Sequence, residues 1–278
     1  MNIGIVGLGL IGGSIGLKLQ SLNHTVYGVT NNDLNEKKAK ERKLANIISQ
    51  NYKILENCSI IILALPIKSL INPSKNLIEA IPTKAILTDV GSVKVPIIKT
   101  WEKIHDLFIG SHPMAGTEKK GVNAGKIELF DNSKWIITPT NQTDQNSLQT
   151  LSKLFKNMGC DICFENPDIH DQAVANISHL PIYLASCLIE TAYCQNNEDL
   201  LNLSKKLAAS GFSDTSRVGA GNPSLGVDLA ENNTINILNS IKNFKKNISE
   251  IEKIFEERNW EVLEAKLKKG QEWRNHFC

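Results

Sequence analysis

His112 is the side chain in this 278-residue sequence best placed to move a proton. It stands in Ser111-His112-Pro113-Met114-Ala115-Gly116-Thr117-Glu118, directly after a short strand-like run at 108–110. An imidazole titrates near neutrality, and a strand end fixed by proline and flanked by small residues suits proton transfer. About twenty residues upstream, Asp89-Val90-Gly91-Ser92-Val93-Lys94 follows another strand-like run. It puts small and polar groups, Ser92 among them, at the carboxyl edge of a sheet, where open α/β folds bind ligands.

The chain opens on Gly7-Leu8-Gly9-Leu10-Ile11-Gly12, a GxGxxG directly after a strand-like 3–6 and directly before a helical stretch. That context marks a dinucleotide-binding turn. Gly7 allows the tight turn, Gly9 leaves no side chain between backbone and pyrophosphate, and Gly12 lets helix and sheet pack closely. The phosphates then meet the positive end of the helix. All six residues are expected to bind cofactor, with Leu65 and Pro66 at the end of the third strand beside them. The second strand runs into Thr30-Asn31-Asn32, where an NAD enzyme usually presents an acid to the ribose hydroxyls. With no carboxylate there, a 2′-phosphate is not repelled and three polar side chains can bond to it, which favours NADP. Asp33, next in line, and the lack of an arginine at the turn keep NAD open.

The elements that must hold these groups follow from apolar periodicity. Strand-like runs at 3–6, 25–29, 60–65 and 85–90 alternate with helical stretches at 14–21, 37–43 and 70–81, a βαβ rhythm that predicts a parallel sheet covered on both faces. Further strands are expected at 108–110, 135–138 and 161–164, with a helix at 145–158. Beyond Asn166-Pro167, a cap followed by a first-turn proline, the strand signal fades. The stretch 235–255 repeats apolar residues at helical spacing and 260–267 continues it. The expected fold is a Rossmann-type doubly wound α/β sheet over 1–165, followed by an all-helical dimerisation domain over 166–278. The long amphipathic stretch is explained by a partner subunit or by intrachain core; the prevalence of two-fold dimers favours a homodimer.

Composition narrows the function class. A net charge of +2 offers no electrostatic footprint for nucleic acid or anionic lipid. The longest apolar run, 60–65, stops at Pro66, far short of a membrane span. The start of the chain has no signal-peptide pattern, so a cytoplasmic protein is expected. Six scattered cysteines, at 58, 160, 163, 187, 194 and 278, lack the density of a secreted scaffold. Cys160 and Cys163 form a CxxC without a second ligand pair, so no metal is expected.

Together these strings resemble the prephenate/arogenate dehydrogenase family, over nearly the whole chain. The resemblance rests on Gly7 through Ser14, on 89–94, on 112–118, on His170-Asp171, on Ser178-His179-Leu180-Pro181 and on Asp214-Thr215-Ser216-Arg217. It implies oxidative decarboxylation of a cyclohexadienol on the path to tyrosine. His112 would accept the ring hydroxyl's proton as hydride leaves the same carbon for the nicotinamide, and Ser92 would position both. Arg217 would grip the side-chain carboxylate, a task suited to its planar fork. Glu118 and Asp214 would be its acidic partners, and Thr117 and His179 belong with the substrate-binding set. For His179 a buried, backbone-satisfied role is an equal reading, and His170-Asp171, in a first helical turn, reads as structural. Small-molecule substrate and homodimer are the implied partners.

Two departures bear on the substrate. Prephenate-using relatives commonly carry a second histidine where this chain has Ile182, and losing a polar group shifts discrimination between close analogues, which favours arogenate. Gly226 stands where relatives often place a tryptophan reaching the neighbouring subunit's site. Prephenate dehydrogenase is the alternative, with a β-hydroxyacid dehydrogenase or imine reductase behind it. Those generally use a lysine or aspartate on the first long helix of the second domain, where this chain offers Asn176 and His179. A redox sensor that binds dinucleotide without turnover would need neither His112 nor Arg217.

Overall fold

Ile60-Ile61-Ile62-Leu63 carries no polar residue, and all four side chains are buried. A strand covered on both faces has no reason to alternate, and this one lies near the middle of the sheet. The computed structural model describes residues 1–117 and 120–277. Eight strands, β1 (Asn2–Val6), β2 (Thr25–Val29), β3 (Ile47–Ser49), β4 (Ile60–Leu63), β5 (Ile86–Asp89), β6 (Phe108–Pro113), β7 (Lys134–Thr138) and β8 (Asp161–Phe164), form one sheet in the order β3-β2-β1-β4-β5-β6-β7-β8. The first six have the doubly wound order and are parallel. β7 runs antiparallel to β6, with His112 opposite Ile136, and β8 runs parallel to β7. The parallel sheet expected from the βαβ rhythm is present, and the sheet is mixed at its other end, where the sequence carries no signal of strand direction.

Helices α1 (Leu10–Ser21), α2 (Asp33–Glu41), α3 (Ile67–Ile71), α4 (Lys75–Ala80), α5 (Val95–Trp101) and α6 (Gln145–Asn157) connect the strands. The single helix expected over 70–81 is two. Pro73 can neither donate a helical hydrogen bond nor let Asn72 stay helical, and Ser74 then caps α4 by accepting from the Leu77 N–H at 3.3 Å. The three-residue β3, with Ile47 exposed, was not foreseen.

Two apolar clusters cover the sheet. On one face α1 and α6 bury Ile15, Leu19, Leu151 and Phe155, with Trp135 stacked on Phe155 at 4.0 Å. The other face holds Leu70, Leu77, Ile97 and Trp101, and joins Ala175, Leu229 and Ile237 from the second half. That shared cluster docks the helices onto the sheet.

The second half is helical: α7 (Pro167–Val174), a π turn at Ala175–His179, α8 (Leu180–Tyr193), α9 (Glu198–Leu207), α10 (Ser210–Ser216), a 3-10 turn at Arg217–Ala220, α11 (Pro223–Asn232), α12 (Thr234–Glu256) and α13 (Trp260–Arg274). Asn166 caps α7, accepting from the Asp168 N–H at 2.8 Å, with Pro167 in the first turn. Pro181 has no N–H to donate, and the chain meets that loss with the wider π turn just before it. The run Pro167–Tyr193 is long and apolar enough to cross a membrane. Its buried His170, Asp171 and His179 are instead hydrogen-bonded within the protein, as in a packed helix.

Candidate active site

β1, β4, β5 and β6 are parallel neighbours, so the segments after their carboxyl ends share one edge of the sheet. Gly7 follows β1, Leu65 and Pro66 lie just past β4, the 89–94 segment leaves β5, and His112 lies at the end of β6. At strand spacings of about 4.8 Å, the glycine turn and His112 are about 14 Å apart across the sheet. Gly7 has φ +96°, and a Cβ there would lie 2.3 Å from the Ala64 carbonyl oxygen. A Cβ on Gly12 would lie 1.9 Å from the Gly7 oxygen, yet one on Gly9 would meet nothing within 4 Å. Leu8 is buried, Leu10 and Ile11 are half-buried on the first turn of α1, and Leu65 lies beside Gly7. The turn thus packs tightly below and is open above, which fits a dinucleotide pyrophosphate.

The end of β2 fits as well. Thr30 is buried, and its hydroxyl has no partner among the described residues. Asn32 caps α2 through the Asn35 N–H at 2.8 Å, and Asn31 accepts from Asn32 at 3.0 Å and Asn35 at 2.8 Å. The Asp33 carboxylate is engaged away from this cluster, by Gln50 at 2.6 Å.

Beside His112 lies a buried polar network. Asp89 and Lys94 are fully buried and ion-paired. Asp89 also accepts from the Gly91 N–H at 2.7 Å and the Ser111 N–H at 3.2 Å, and the Lys94 ammonium donates to the Ser111 carbonyl at 2.6 Å. The pair therefore ties β5 to β6 just below the imidazole. Burial pushes the Asp89 carboxyl up and the Lys94 ammonium down, which draws the two toward sharing a proton.

His112 is half-buried and meets His170 from α7, with Nδ1 to Nε2 at 2.9 Å. His170 Nδ1 meets the Asp171 carboxylate at 2.8 Å. Asp171 in turn accepts the Lys94 N–H at 2.7 Å and the Val95 N–H at 2.9 Å, capping α5 from another helix. Burial, then the neighbouring His170, Lys94 and His179, hold the His112 pKa well below the usual histidine range. His112 is therefore a neutral imidazole at pH 7. Ser92 is half-buried on the turn between β5 and α5, and the His112 ring meets His170 rather than Ser92 among the described residues.

His179 closes the π turn and is fully buried. Its Nδ1 meets the Asn233 amide at 3.3 Å, its Nε2 has no partner among the described residues, and burial lowers its pKa to about 4. Arg217 begins the 3-10 turn that packs on α8. Arg217 and Asp214 are both exposed, and among the described residues neither is ion-paired, so the expected Asp214–Arg217 pair is not formed. An exposed pair gains little over two solvated charges. Thr117 is half-buried; Glu118, the other expected partner, lies outside the described residues. No cluster of three or more metal-ligating side chains occurs among the described residues.

The sequence profile of the prephenate dehydrogenase nucleotide-binding domain matches residues 15–164, and that of the prephenate dehydrogenase dimerization domain matches residues 166–269. The chain belongs to the prephenate/arogenate dehydrogenase family. It is 29% identical to the prephenate dehydrogenase of Bacillus subtilis (strain 168), over 98% of this chain and 74% of the relative. Among solved structures it is similar to a Synechocystis arogenate dehydrogenase, 36% identical with both chains covered in full and a TM-score of 0.85. It is also similar to the A. aeolicus prephenate dehydrogenase in complex with hydroxyphenyl propionate and NAD+, 27% identical over 100% of this chain and 98% of that one, with a TM-score of 0.92. The protein is thus an oxidoreductase of tyrosine biosynthesis with a nicotinamide cofactor.

In this dehydrogenase the residue that sequence reasoning passed over is His170. His170-Asp171 is visible as a string and is expected in a first helical turn, a sufficient structural reading, but α7 begins at Pro167 and places Asp171 beyond that turn. What that reading lacked was the contact to His112, 58 residues earlier. Asn233, which holds both the Asp171 carbonyl at 2.8 Å and the His179 ring, gave no signal at all.

Proposed function

We propose that the chain oxidatively decarboxylates L-arogenate to L-tyrosine and CO2 with hydride transfer to NADP. The observation that carries this reading is a neutral imidazole, His112, on the sheet edge that also holds the open glycine turn. His112 takes the proton of the ring hydroxyl, and loss of the ring carboxylate as CO2 restores aromaticity. Gly7 through Gly12, Leu65, Pro66, Thr30, Asn31 and Asn32 would hold the cofactor, which when bound supplies the hydride acceptor. Arg217, unpaired among the described residues, is free to bind a substrate carboxylate, with Ser92, Thr117, Glu118, Asp214 and His179 completing the site.

Two features support the finer choices. Ile182 is half-buried against the apolar cluster under the helices and adds no polar group to the pocket, which favours arogenate; the arogenate dehydrogenase likeness agrees. The Thr30 hydroxyl, unpartnered among the described residues, and the engagement of Asp33 by Gln50 favour NADP. Reduced-cofactor absorbance, followed with arogenate and prephenate against NADP and NAD, tests this. Arogenate with NADP is expected to exceed each other pairing by about tenfold or more in kcat/KM, a usual margin for one recognised group. Equal efficiencies with the two cofactors would refute the NADP choice, faster turnover of prephenate would move the substrate, and silence with both substrates would discard the reaction.

The chain acts in this reading as a homodimer. Ile235, Trp260, Leu267 and Trp273 are 76%, 54%, 62% and 61% exposed on the last two helices, too much large apolar surface for a soluble chain to leave in water. The family description of this half supports the same view. Light scattering is expected to give twice the chain mass of 30.8 kDa, and a monomer at micromolar concentration would overturn it.

A further inference from the structure

We propose that His170 and Asp171 are positioning residues that fix the tautomer of His112, so that Nδ1 carries its proton and Nε2 presents the free lone pair. The argument runs from the buried end of the array outward. Two backbone N–H groups, from Lys94 and Val95, address the two oxygens of Asp171 at 2.7 and 2.9 Å. A backbone N–H can only donate, so this carboxylate acts as an acceptor, and the His170 Nδ1 that meets it at 2.8 Å must carry a hydrogen. In a neutral imidazole the other nitrogen is then an acceptor. His170 Nε2 meets His112 Nδ1 at 2.9 Å, so the hydrogen between the rings belongs to His112. The one nitrogen of His112 left without a proton is Nε2.

The opposite tautomer would need protons on both nitrogens of His170. That would add a second cation beside Lys94 in a region where His170, Asp171, Asp89 and Lys94 are all buried. The charged and titratable groups facing His112 are His170 and Asp171 from α7, Lys94 with its partner Asp89 from the β5 end, and His179 from the π turn. Among the described residues, the Asp171–His170 pair is the one that reaches the ring by hydrogen bonds.

The array also gives the incoming proton somewhere to go. When His112 gains a proton at Nε2, its Nδ1 hydrogen can pass to His170 Nε2 while His170 keeps its Nδ1 hydrogen on Asp171. His112 is then neutral again, and the added positive charge rests on the ring beside the carboxylate. No atom or electron is unaccounted for, and no further reactant is required.

This inference rests on the proposed function for the use of the lone pair, but the tautomer can be read without turnover. NMR of the ring nitrogens in the labelled full-length chain, above the usual histidine range of pH, is expected to show His112 protonated at Nδ1 and bare at Nε2. A proton on Nε2 overturns the proposal, whatever the activity. His170→Leu removes the acceptor, and the fixed tautomer should be lost, with kcat falling about 100-fold, the low end of an acid/base loss, and KM little changed. His170→Gln sets a carbonyl oxygen where Nε2 was and is expected to restore the Nδ1–H form and kcat to within about tenfold of the parent. Equal loss in both variants with the His112 tautomer unmoved would make His170 a packing residue and end the proposal.

Discussion

Replacing His112 with asparagine is expected to lower kcat by about 10² to 10⁴ while KM moves only a few-fold, the range for loss of a general acid/base. Asparagine is small and polar and leaves β6, its pairing with Ile136 and the Asp89–Lys94 brace below it in place. What it cannot do is take a proton at pH 7. The pH profile sharpens the assignment. Burial, then the neighbouring His170, Lys94 and His179, depress the His112 pKa, so the ring stays unprotonated as pH falls through the ordinary histidine value. A base works in its unprotonated form, so kcat/KM of the parent should hold through about pH 6.5 and fall only below it, and the residual rate of His112→Asn should lack that limb. An acid limb at or above the ordinary value contradicts the neutral pocket. Turnover near that of the parent removes His112 from the role.

How much of this was legible depended on how local each signal was. β4 and, from Ile3 on, β1 announce themselves as unbroken apolar runs, and the turn between β1 and α1 is set by residues within six positions of one another. The direction of β7 had no such signal. Whether a strand pairs parallel or antiparallel is decided by the path of the chain before it, here the 114–133 segment, and not by its own alternation. β3 is too short for any period to show. The same distinction separates the site residues. His112 stood out by its proline and small neighbours, whereas the imidazole that meets it comes from another helix 58 residues on. Asp171 shows why the string alone misled: it does cap a helix, but α5 rather than its own. An aspartate near a helix start and a buried acceptor in a histidine array have the same local sequence.

The glycine turn offers a prediction in which fold and cofactor separate. Gly9 has φ −75° and ψ −156°, a conformation alanine adopts without strain, and the added Cβ would meet no protein atom within 4 Å. Gly9→Ala should therefore fold with an unchanged Tm. The methyl group nevertheless enters the space read as the pyrophosphate site. Forcing a methyl into a filled contact costs about 1–3 kcal/mol, so Kd for the dinucleotide should rise roughly 10- to 100-fold. Gly12→Ala is the counterpart. Its Cβ would lie 1.9 Å from the Gly7 carbonyl oxygen, and neither backbone can yield without moving α1 off the sheet, so this variant should lose several kcal/mol of stability before any ligand is added. Thermal melts with and without each nicotinamide dinucleotide, NAD and NADP, distinguish the two. Ligand should raise the Tm of the parent, because binding to the native state alone stabilises it, and should do so far less for Gly9→Ala at the same concentration. A Gly9→Ala protein stabilised as strongly as the parent would mean that the open space above this turn is not where the dinucleotide lies. The common edge that places His112 beside it would then lose its chemical meaning.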